Sequence, residues 1–570
     1  MQNLMRRKES RAVRSAVRAL AVATGLIAAA GIGAAQGSAA HARNAHSASQ
    51  RHHAARFERP ELRHGLLTIE GTDASDKIAL RLKAGNPAVL EIDVGDDGSP
   101  DFRFGRAAIA RIVIDAEDGD DLVRIDESNG VFTDSVPTTI DGGAGNDRIA
   151  GGKGSETLLG GDGNDSIDGN GGNDRALMGS GDDTFVWDPG DGSDTIEGEA
   201  GNDTMLFNGA NVAERVALSA NGHRLTFFRD LGAVTMDTAG VERVDFNALG
   251  GEDTTFVGDL SGTDVKTVNL DLGAADGQRD RVVVDGTDGD DTINVNGDAS
   301  GVAVSGLSAQ VAIQHQEPTD ELAVDGLGGN DSISAAGLAA GAISLTLDGG
   351  AGDDRIAGGA GIETLLGGDG NDSLDGNGGN DLARLGAGDD TFVWDPGDGS
   401  DTVEGEDGTD TMVFNGANGA DQVDLSASGN RLRFFRNPGT VTMDTAGVER
   451  VDFNALDGAD VVTVNDLSGT DVSNVNVDLA STLGGSSGDG KSDRIVVNGT
   501  RGDDAISVSG DAGGAKGGVT VTGLAPTIGI LHPEASDRLE INTLAGNDSV
   551  DPAGLAAGVI QLFVDGMLVP

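Results

Sequence analysis

Residues 142–168 read GGAGNDRIA, GGKGSETLL and GGDGNDSID. In each group of nine, glycine holds the first, second and fourth places, a carboxylate the sixth, and an apolar residue the eighth. One large apolar side chain per nine residues offers too little buried surface to offset the entropy of ordering the chain, so the pattern has to work by repetition. It runs on as GNGGNDRAL and MGSGDDTFV and, after the two-residue insert Trp187-Asp188, as PGDGSDTIE and GEAGNDTML. The eighth-place series is Ile149, Leu158, Ile167, Ala176, Phe185, Ile196 and Met205.

The grammar has a physical reading. Glycine takes φ > 0 without a Cβ penalty and so permits a tight turn with its carbonyls directed inward. An acid at the end of the turn adds carboxylate oxygens beside those carbonyls, and the short strand that follows buries one apolar side chain. Two such nonapeptides make a coil of 18 residues, turn-strand-turn-strand, and coils stack at the sheet spacing of about 4.8 Å. Asp147, Asp165 and Asp183 then fall on one edge, and Glu156 and Asp174 on the other. Carboxylates that close repel by about 1 kcal/mol per pair at about 4 Å even in water. A hard cation taking six to eight oxygens resolves the repulsion, and calcium accepts a flexible mix of carboxylate and carbonyl. Magnesium asks for a tighter octahedron, and zinc for nitrogen or sulfur that these loops lack. An ordinary solvated acidic loop would scatter its acids instead of holding a nine-residue phase through seven repeats.

The phase is held twice. The block from Asp141 recurs from Asp348 at an offset of 207 residues, with eighth places Ile356, Leu365, Leu374, Ala383, Phe392, Val403 and Met412, and "VERVDF" recurs at Val241 and Val448. A second kind of unit flanks the blocks: "GTDASDKIAL" at Gly71, "GTDGDDTINV" at Gly286 and "GTRGDDAISV" at Gly499. The expected organisation is a signal peptide over 1–42, a flexible leader over 43–65 and a β spacer over 66–140. Roll 1 spans 141–209 with a β continuation over 210–285, and a second spacer spans 286–347. Roll 2 spans 348–416 with its continuation over 417–498, and a third spacer spans 499–570. The spacers and continuations dilute the same idea, placing Gly and Asp before alternating strands such as "RVVVDG", "VAVSG", "ISLTLDG" and "HRLTFFRD". They read as further coils with mostly calcium-free turns.

In tandem over 142–206 and 349–413, GGxGxDxUx resembles the RTX, or hemolysin-type, calcium-binding repeat of secreted bacterial proteins. The resemblance implies a parallel β-roll for each block, and with the strand pattern of the flanking units the expected fold is all-β: two parallel β-rolls alternating with β-solenoid or β-sandwich-like spacers. It implies Ca2+ as the bound ion. Carried over place by place, the side-chain ligands are Asp147, Asp165, Asp174, Asp183, Asp194 and Asp203, and in the second block Asp354, Asp372, Asp381, Asp390, Asp401 and Asp410. Carbonyls of Gly143, Gly145, Gly161 and Gly163, and of Gly350, Gly352, Gly368 and Gly370, complete the shells. Glu156 and Glu363 depart from the pattern and predict weak or empty turns, and the inserts Trp187-Asp188 and Trp394-Asp395 predict a break in the stack. About four or five ions per block are expected, at affinities of about 10⁻⁴ to 10⁻³ M.

Composition bounds the remaining choices. The net charge of -55, 92 glycines, aromatic content of 3% and absence of cysteine and tyrosine suit a thin, cation-filled repeat fold and exclude a disulfide scaffold. Acidity on that scale repels nucleic acid. Arg6, Arg7, Lys8, Arg11, Arg14 and Arg18 precede the 17-residue apolar run Ala19–Ala35 and the small residues "GSAAHA", the anatomy of an export signal. Beyond it no segment has the length and hydropathy to span a bilayer. His52-His53 reads as part of a polar tail.

No constellation for catalysis stands out. HExxH is absent, "GGSSG" around Ser486 lacks the strand-turn-helix setting of a nucleophile elbow, and His315 and His532 read as turn residues. Trp187 and Trp394 fill the roll at its insertions. The reading that uses all of these features is an extracellular, non-enzymatic calcium-binding protein that folds on meeting the ion and contacts cell-surface or matrix polysaccharide or protein. The alternative is a calcium-dependent enzyme of the polysaccharide lyase or epimerase kind.

Overall fold

The structure, a computed structural model, describes residues 57–511 and 518–570. The expected signal segment, most of the leader and His52-His53 lie outside them. Two compact units are present: residues 57–280 with 308–314, and residues 281–307 with 315–570. Both are almost entirely β, and among the described residues the one helical element is a single 3-10 turn, Arg106–Ala108.

In the first unit the chain alternates between two parallel ladders. One runs through Leu66–Glu70, Arg111–Asp115, Thr138–Ala144, Thr157–Asp162, Arg175–Ser180, Thr195–Ala200 and Val234–Ala239. The other runs through Lys77–Lys83, Leu122–Asp126, Arg148–Ala150, Ser166–Asp168, Thr184–Trp187, Thr204–Asn208, Arg243–Asn247, Thr267–Asp271 and Gln310–Gln314. Leu158 pairs with Ala176 and Ile167 with Ile149, the 18-residue coil that the nonapeptide phase predicts. Arg148–Ala150 and Ser166–Asp168 hold three residues each, whereas Thr157–Asp162 and Arg175–Ser180 run on through the glycines that open the next turn. Glu61–Arg63, expected within the leader, pairs antiparallel with the first ladder strand.

The second unit repeats the scheme. Strands Ser344–Ala351, Glu363–Asp369, Leu382–Ala387 and Thr402–Asp407 stack on one side, and Arg355–Ala357, Ser373–Asp375, Thr391–Trp394 and Thr411–Asn415 on the other. The same parallel pairing continues through Val461–Val464, Arg494–Asn498, Arg538–Asn542 and Gln561–Val564, so here the spacer is solenoid, not sandwich.

Within the blocks the core is two facing columns of eighth-place side chains, every one of them buried, whereas strands outside the blocks bury apolar side chains in pairs, as at Leu67 and Ile69 or Val282 and Val284. At roughly 1.5–3 kcal/mol for each large apolar side chain, a column one residue wide is thin for a chain of this charge.

The tryptophan inserts do not break the stack. Arg175 pairs with Thr195 and Thr184 with Thr204, so these coils simply run to 20 residues and keep register. The physical reason is that the insert is shared, the strand lengthening by one residue to Trp187 and the turn after it taking Asp188. Trp187 stays on its strand, 1% exposed, stacked on Phe207 at 3.9 Å between centroids, and its Nε1 donates to the Gly192 carbonyl. Trp394 and Phe414 repeat the arrangement.

What does break register is an antiparallel meander. Arg215–Asn221 and Arg224–Arg229 are inserted beside Val234–Ala239, and Gln422–Ser428 and Arg431–Asn437 beside Val441–Ala446.

Candidate metal centre

Because strand pairing sets one turn above the next, the sixth-place carboxylates line up. In the first unit the Asp147 N–H donates to Asp165 Oδ1 at 2.8 Å, Asp165 to Asp183 at 2.7 Å, and Asp183 to Asp203 at 2.9 Å. On the other edge Glu156 donates to Asp174 at 2.7 Å and Asp174 to Asp194 at 2.8 Å. The second unit carries Asp354, Asp372, Asp390 and Asp410 on one edge, and Glu363, Asp381 and Asp401 on the other.

Each bond occupies one oxygen. The second, Oδ2, is buried with no hydrogen-bond partner at Asp147, Asp165, Asp174, Asp183, Asp194 and Asp203, and equally at Asp354, Asp372, Asp381, Asp390, Asp401 and Asp410. An orphaned buried acceptor costs about 1–3 kcal/mol, more when charged. Recurring at every rung, the cost fits oxygens that serve a ligand the chain does not supply.

The glycines show where that ligand would be held. A Cβ on Gly142 would lie 2.4 Å from Asp147 Oδ2 and 2.7 Å from the Gly160 carbonyl oxygen. Gly349 stands in the same way, 2.4 Å from Asp354 Oδ2 and 2.7 Å from the Gly367 carbonyl. Orphan carboxylate and next-rung carbonyl thus converge where the turn carries no side chain. Gly143, Gly145, Gly161, Gly163, Gly350, Gly352, Gly368 and Gly370 all adopt φ between 99° and 139°. A Cβ on Gly161 would meet the Gly143 carbonyl at 1.9 Å. Among the described residues no three acidic or histidine side chains converge on one point. A cation would therefore take single carboxylates from successive turns and fill its shell with main-chain carbonyls, a hard-oxygen set suited to calcium.

Electrostatics agree. Burial pushes the carboxyls of Asp165 and Asp203 up to about 6, Asp183 and Asp194 to about 7 and Asp174 to about 9. Hydrogen bonds from the neighbouring N–H oppose the shift, and carboxylates on adjacent rungs add to it. Asp354 and Asp401 rise to about 6, and Asp372, Asp381 and Asp410 to about 7. Without a countercharge the ladder holds protons near neutrality.

The two glutamates differ as their extra methylene dictates. Glu156 Oε2 folds back to accept the Gly152 N–H at 2.8 Å, and Glu363 Oε2 the Gly359 N–H at 2.9 Å, each closing its own turn.

Three features escape a reading by nonapeptide. The ladder extends beyond the blocks, with the same orphaned oxygen at Asp121, Asp253, Asp331 and Asp460, in turns expected to be mostly calcium-free. The fifth places form a second ladder of opposite sense, in which Asn164 N–H donates to Asn146 Oδ1 and Asp182 N–H to Asn164 Oδ1. Finally, GANVAERVA from Gly209 and GANGADQVD from Gly416 are eighth turns, with Glu214 and Asp421 at the sixth place. Outside the ladders, Ser486 sits in an irregular stretch with no helix after it. His315 and His532 occupy turns at φ 59° and 53°, and His532 Nδ1 lies 2.7 Å from Asp478 Oδ1.

A family match agrees with this geometry. A family described as RTX calcium-binding nonapeptide repeat (4 copies) matches residues 139–155, 151–185, 190–211, 346–362, 357–392 and 397–423. No curated protein matches. Among solved structures, the extracellular lipase LipA from Serratia marcescens aligns at 17% identity and a TM-score of 0.14, over 59% of this chain and 43% of the lipase. The two blocks of stacked acidic turns are RTX calcium-binding nonapeptide repeats, and the chain that carries them folds as a parallel β-roll.

Proposed function

We propose that this is an exported protein that binds calcium through both blocks, folds as it does so, and then acts without catalysis as a contact module for cell-surface or matrix material. The observation that carries the reading is the row of buried, partnerless Oδ2 atoms in register with next-rung carbonyls. Sixth-place aspartates are the side-chain ligands, and second- and fourth-place glycine carbonyls complete the shells. In a calcium-poor interior the charge of -55 keeps the chain expanded and fit for export. Outside, ions that bind only the folded turns draw the equilibrium toward the roll. RTX repeat proteins are typically extracellular, and among the described residues no helix is long and apolar enough to cross a membrane.

Equilibrium dialysis against millimolar calcium, with circular dichroism before and after chelation, tests the reading. Several bound ions per block and loss of β signal in chelator are expected. Absence of bound metal, or an unchanged β signal, overturns it.

One surface feature bears on the enzymatic alternative. A polar cleft of about 400 Å³ in the first unit is lined by Glu242, Arg243, Asp245, Lys266 and Asn269 among others. Its acids are all hydrogen-bonded: Glu242 accepts the Asp203 N–H at 2.8 Å, Asp245 is held by Arg243 at 2.7 Å and Asn269 at 2.6 Å, and Asp271 accepts the Gly273 N–H at 2.9 Å. That favours a contact surface over a reaction centre. Turnover of acidic polysaccharide by the calcium-loaded chain would reverse the preference.

A further inference from the structure

Glu214 and Asp421 stand at the sixth place of their turns, buried, and each starts a carboxylate ladder: Glu214 N–H donates to Asp253 Oδ1 and Asp421 N–H to Asp460 Oδ1, both at 2.7 Å. Glu214 keeps a buried second oxygen, Oε2, without a partner, as the block aspartates do, and Asp421 Oδ2 accepts the Ala417 N–H at 3.0 Å; what sets both apart is the group at the first oxygen. Among the described residues no basic side chain reaches those aspartates, whereas these two carboxylates are met by a guanidinium.

Arg229 Nε lies 3.0 Å from Glu214 Oε1, its Nη2 contacts the same oxygen, and its Nη1 donates to the Leu231 carbonyl at 3.2 Å. Arg436 Nε and Nη2 lie 3.0 and 2.8 Å from Asp421 Oδ1. Both arginines are at most 5% exposed. Each guanidinium also sits over the inserted tryptophan of its own unit, Arg229 at 5.1 Å from the Trp187 ring centroid and Arg436 at 5.5 Å from Trp394. The arginines come from the meander strands Arg224–Arg229 and Arg431–Asn437, which separate this turn from the regular rung below. Each turn is in register with the next rung of its ladder, at Asp253 and Asp460, but its other side faces the meander, and the first oxygen of each carboxylate receives a guanidinium where the block aspartates receive a main-chain N–H.

We infer that Arg229 and Arg436 are built-in cations that hold the carboxylate opening each meander, capping its first oxygen with a charge that needs no calcium. The meander and its tryptophan therefore keep their fold when calcium is removed, and the nonapeptide coils refold against them. A guanidinium suits the role because it remains charged at any physiological pH and binds carboxylate through a fixed fork. Buried against an aromatic face, a pair of this kind is strongly destabilised by loss of one partner. The inference rests on the proposed calcium dependence of the blocks, and the test separates the two.

Hydrogen exchange of the full chain is followed by mass spectrometry in chelator and in millimolar calcium, for the native sequence, for Arg229→Gln with Arg436→Gln, and for Arg229→Lys with Arg436→Lys. In chelator the native meanders, 215–229 and 422–437, are expected to stay protected and both tryptophans to keep a blue-shifted emission, while 142–180 and 349–387 exchange freely. The glutamine variant is expected to exchange in its meanders faster by about tenfold or more in chelator, as one lost charge-assisted contact implies. It should regain protection in calcium, which shows that it still folds. The lysine variant, with the charge but not the fork, should fall between. Native meanders that exchange as fast as the nonapeptides in chelator, or a glutamine variant indistinguishable from native, overturn the inference. Nonapeptide coils that stay protected in chelator overturn the calcium dependence instead, and the glutamine variant still reads the clamp.

Discussion

The turns rest on two kinds of residue whose substitution has separable effects. Asp165 supplies one oxygen to the Asp147 N–H and leaves the other orphaned. Asp165→Asn keeps the shape and the accepting oxygen but removes the charge. Calorimetric titration is expected to show fewer ions bound than in the native chain and a folding midpoint at higher calcium. Gly160 acts through space alone: an added Cβ would stand 2.2 Å from the Met178 carbonyl and 2.4 Å from Asp165 Oδ2. Gly160→Ala should lower stability in calcium by about 1–3 kcal/mol, the usual result of overpacking, read as a shift in thermal midpoint. The sixth-place acids were legible in the sequence because few folds besides a stack of cation-bridged turns call for a charge every nine residues. The fifth-place ladder was not, since Asn146, Asn164 and Asp182 look like ordinary turn residues until stacking aligns them.

At the scale of the element, the ladder couples protons to metal. The raised carboxyls hold protons up to about 6 to 7 in the fold, whereas in the unfolded chain an aspartate releases its proton near about 4. The metal-free rungs are therefore most stable in acid and lose that stability as pH rises through about 6 to 7. Calcium needs the ionised form, so the loaded rungs follow the opposite course. Calcium titrations at a series of pH values are expected to show weaker apparent affinity, and more protons released per ion, as pH falls from neutral toward about 5. The reach of the ladder beyond the blocks was only faintly legible. Asp121 and Asp147 are bonded partners 26 residues apart, and Asp291 and Asp331 are 40 apart, because hairpins and loops lengthen the intervening coils and hide the 18-residue period.

For the molecule as a whole, a charge of -55 and, in the two blocks, a narrow apolar column make compaction depend on countercharge. Small-angle scattering should find the chelated chain larger than the calcium-loaded one, and added sodium chloride at equal ionic strength should recover only part of the difference, because screening lacks coordination. The all-β class, the paired blocks and the parallel coil were all legible from the nonapeptide phase and the 207-residue offset. The meanders were not, because Arg215–Asn221 and Arg224–Arg229 alternate like any other strand pair, and nothing local tells antiparallel from parallel.

The two 20-residue coils have a further consequence. Identical 18-residue repeats are free to slide by one turn and still satisfy every pairing, as beads on a uniform thread would. Trp187-Asp188 and Trp394-Asp395 make one coil in each block longer than its neighbours, so a slipped alignment leaves an indole facing the wrong ring and two residues with no slot. The inserts act as index marks on an otherwise unmarked scale.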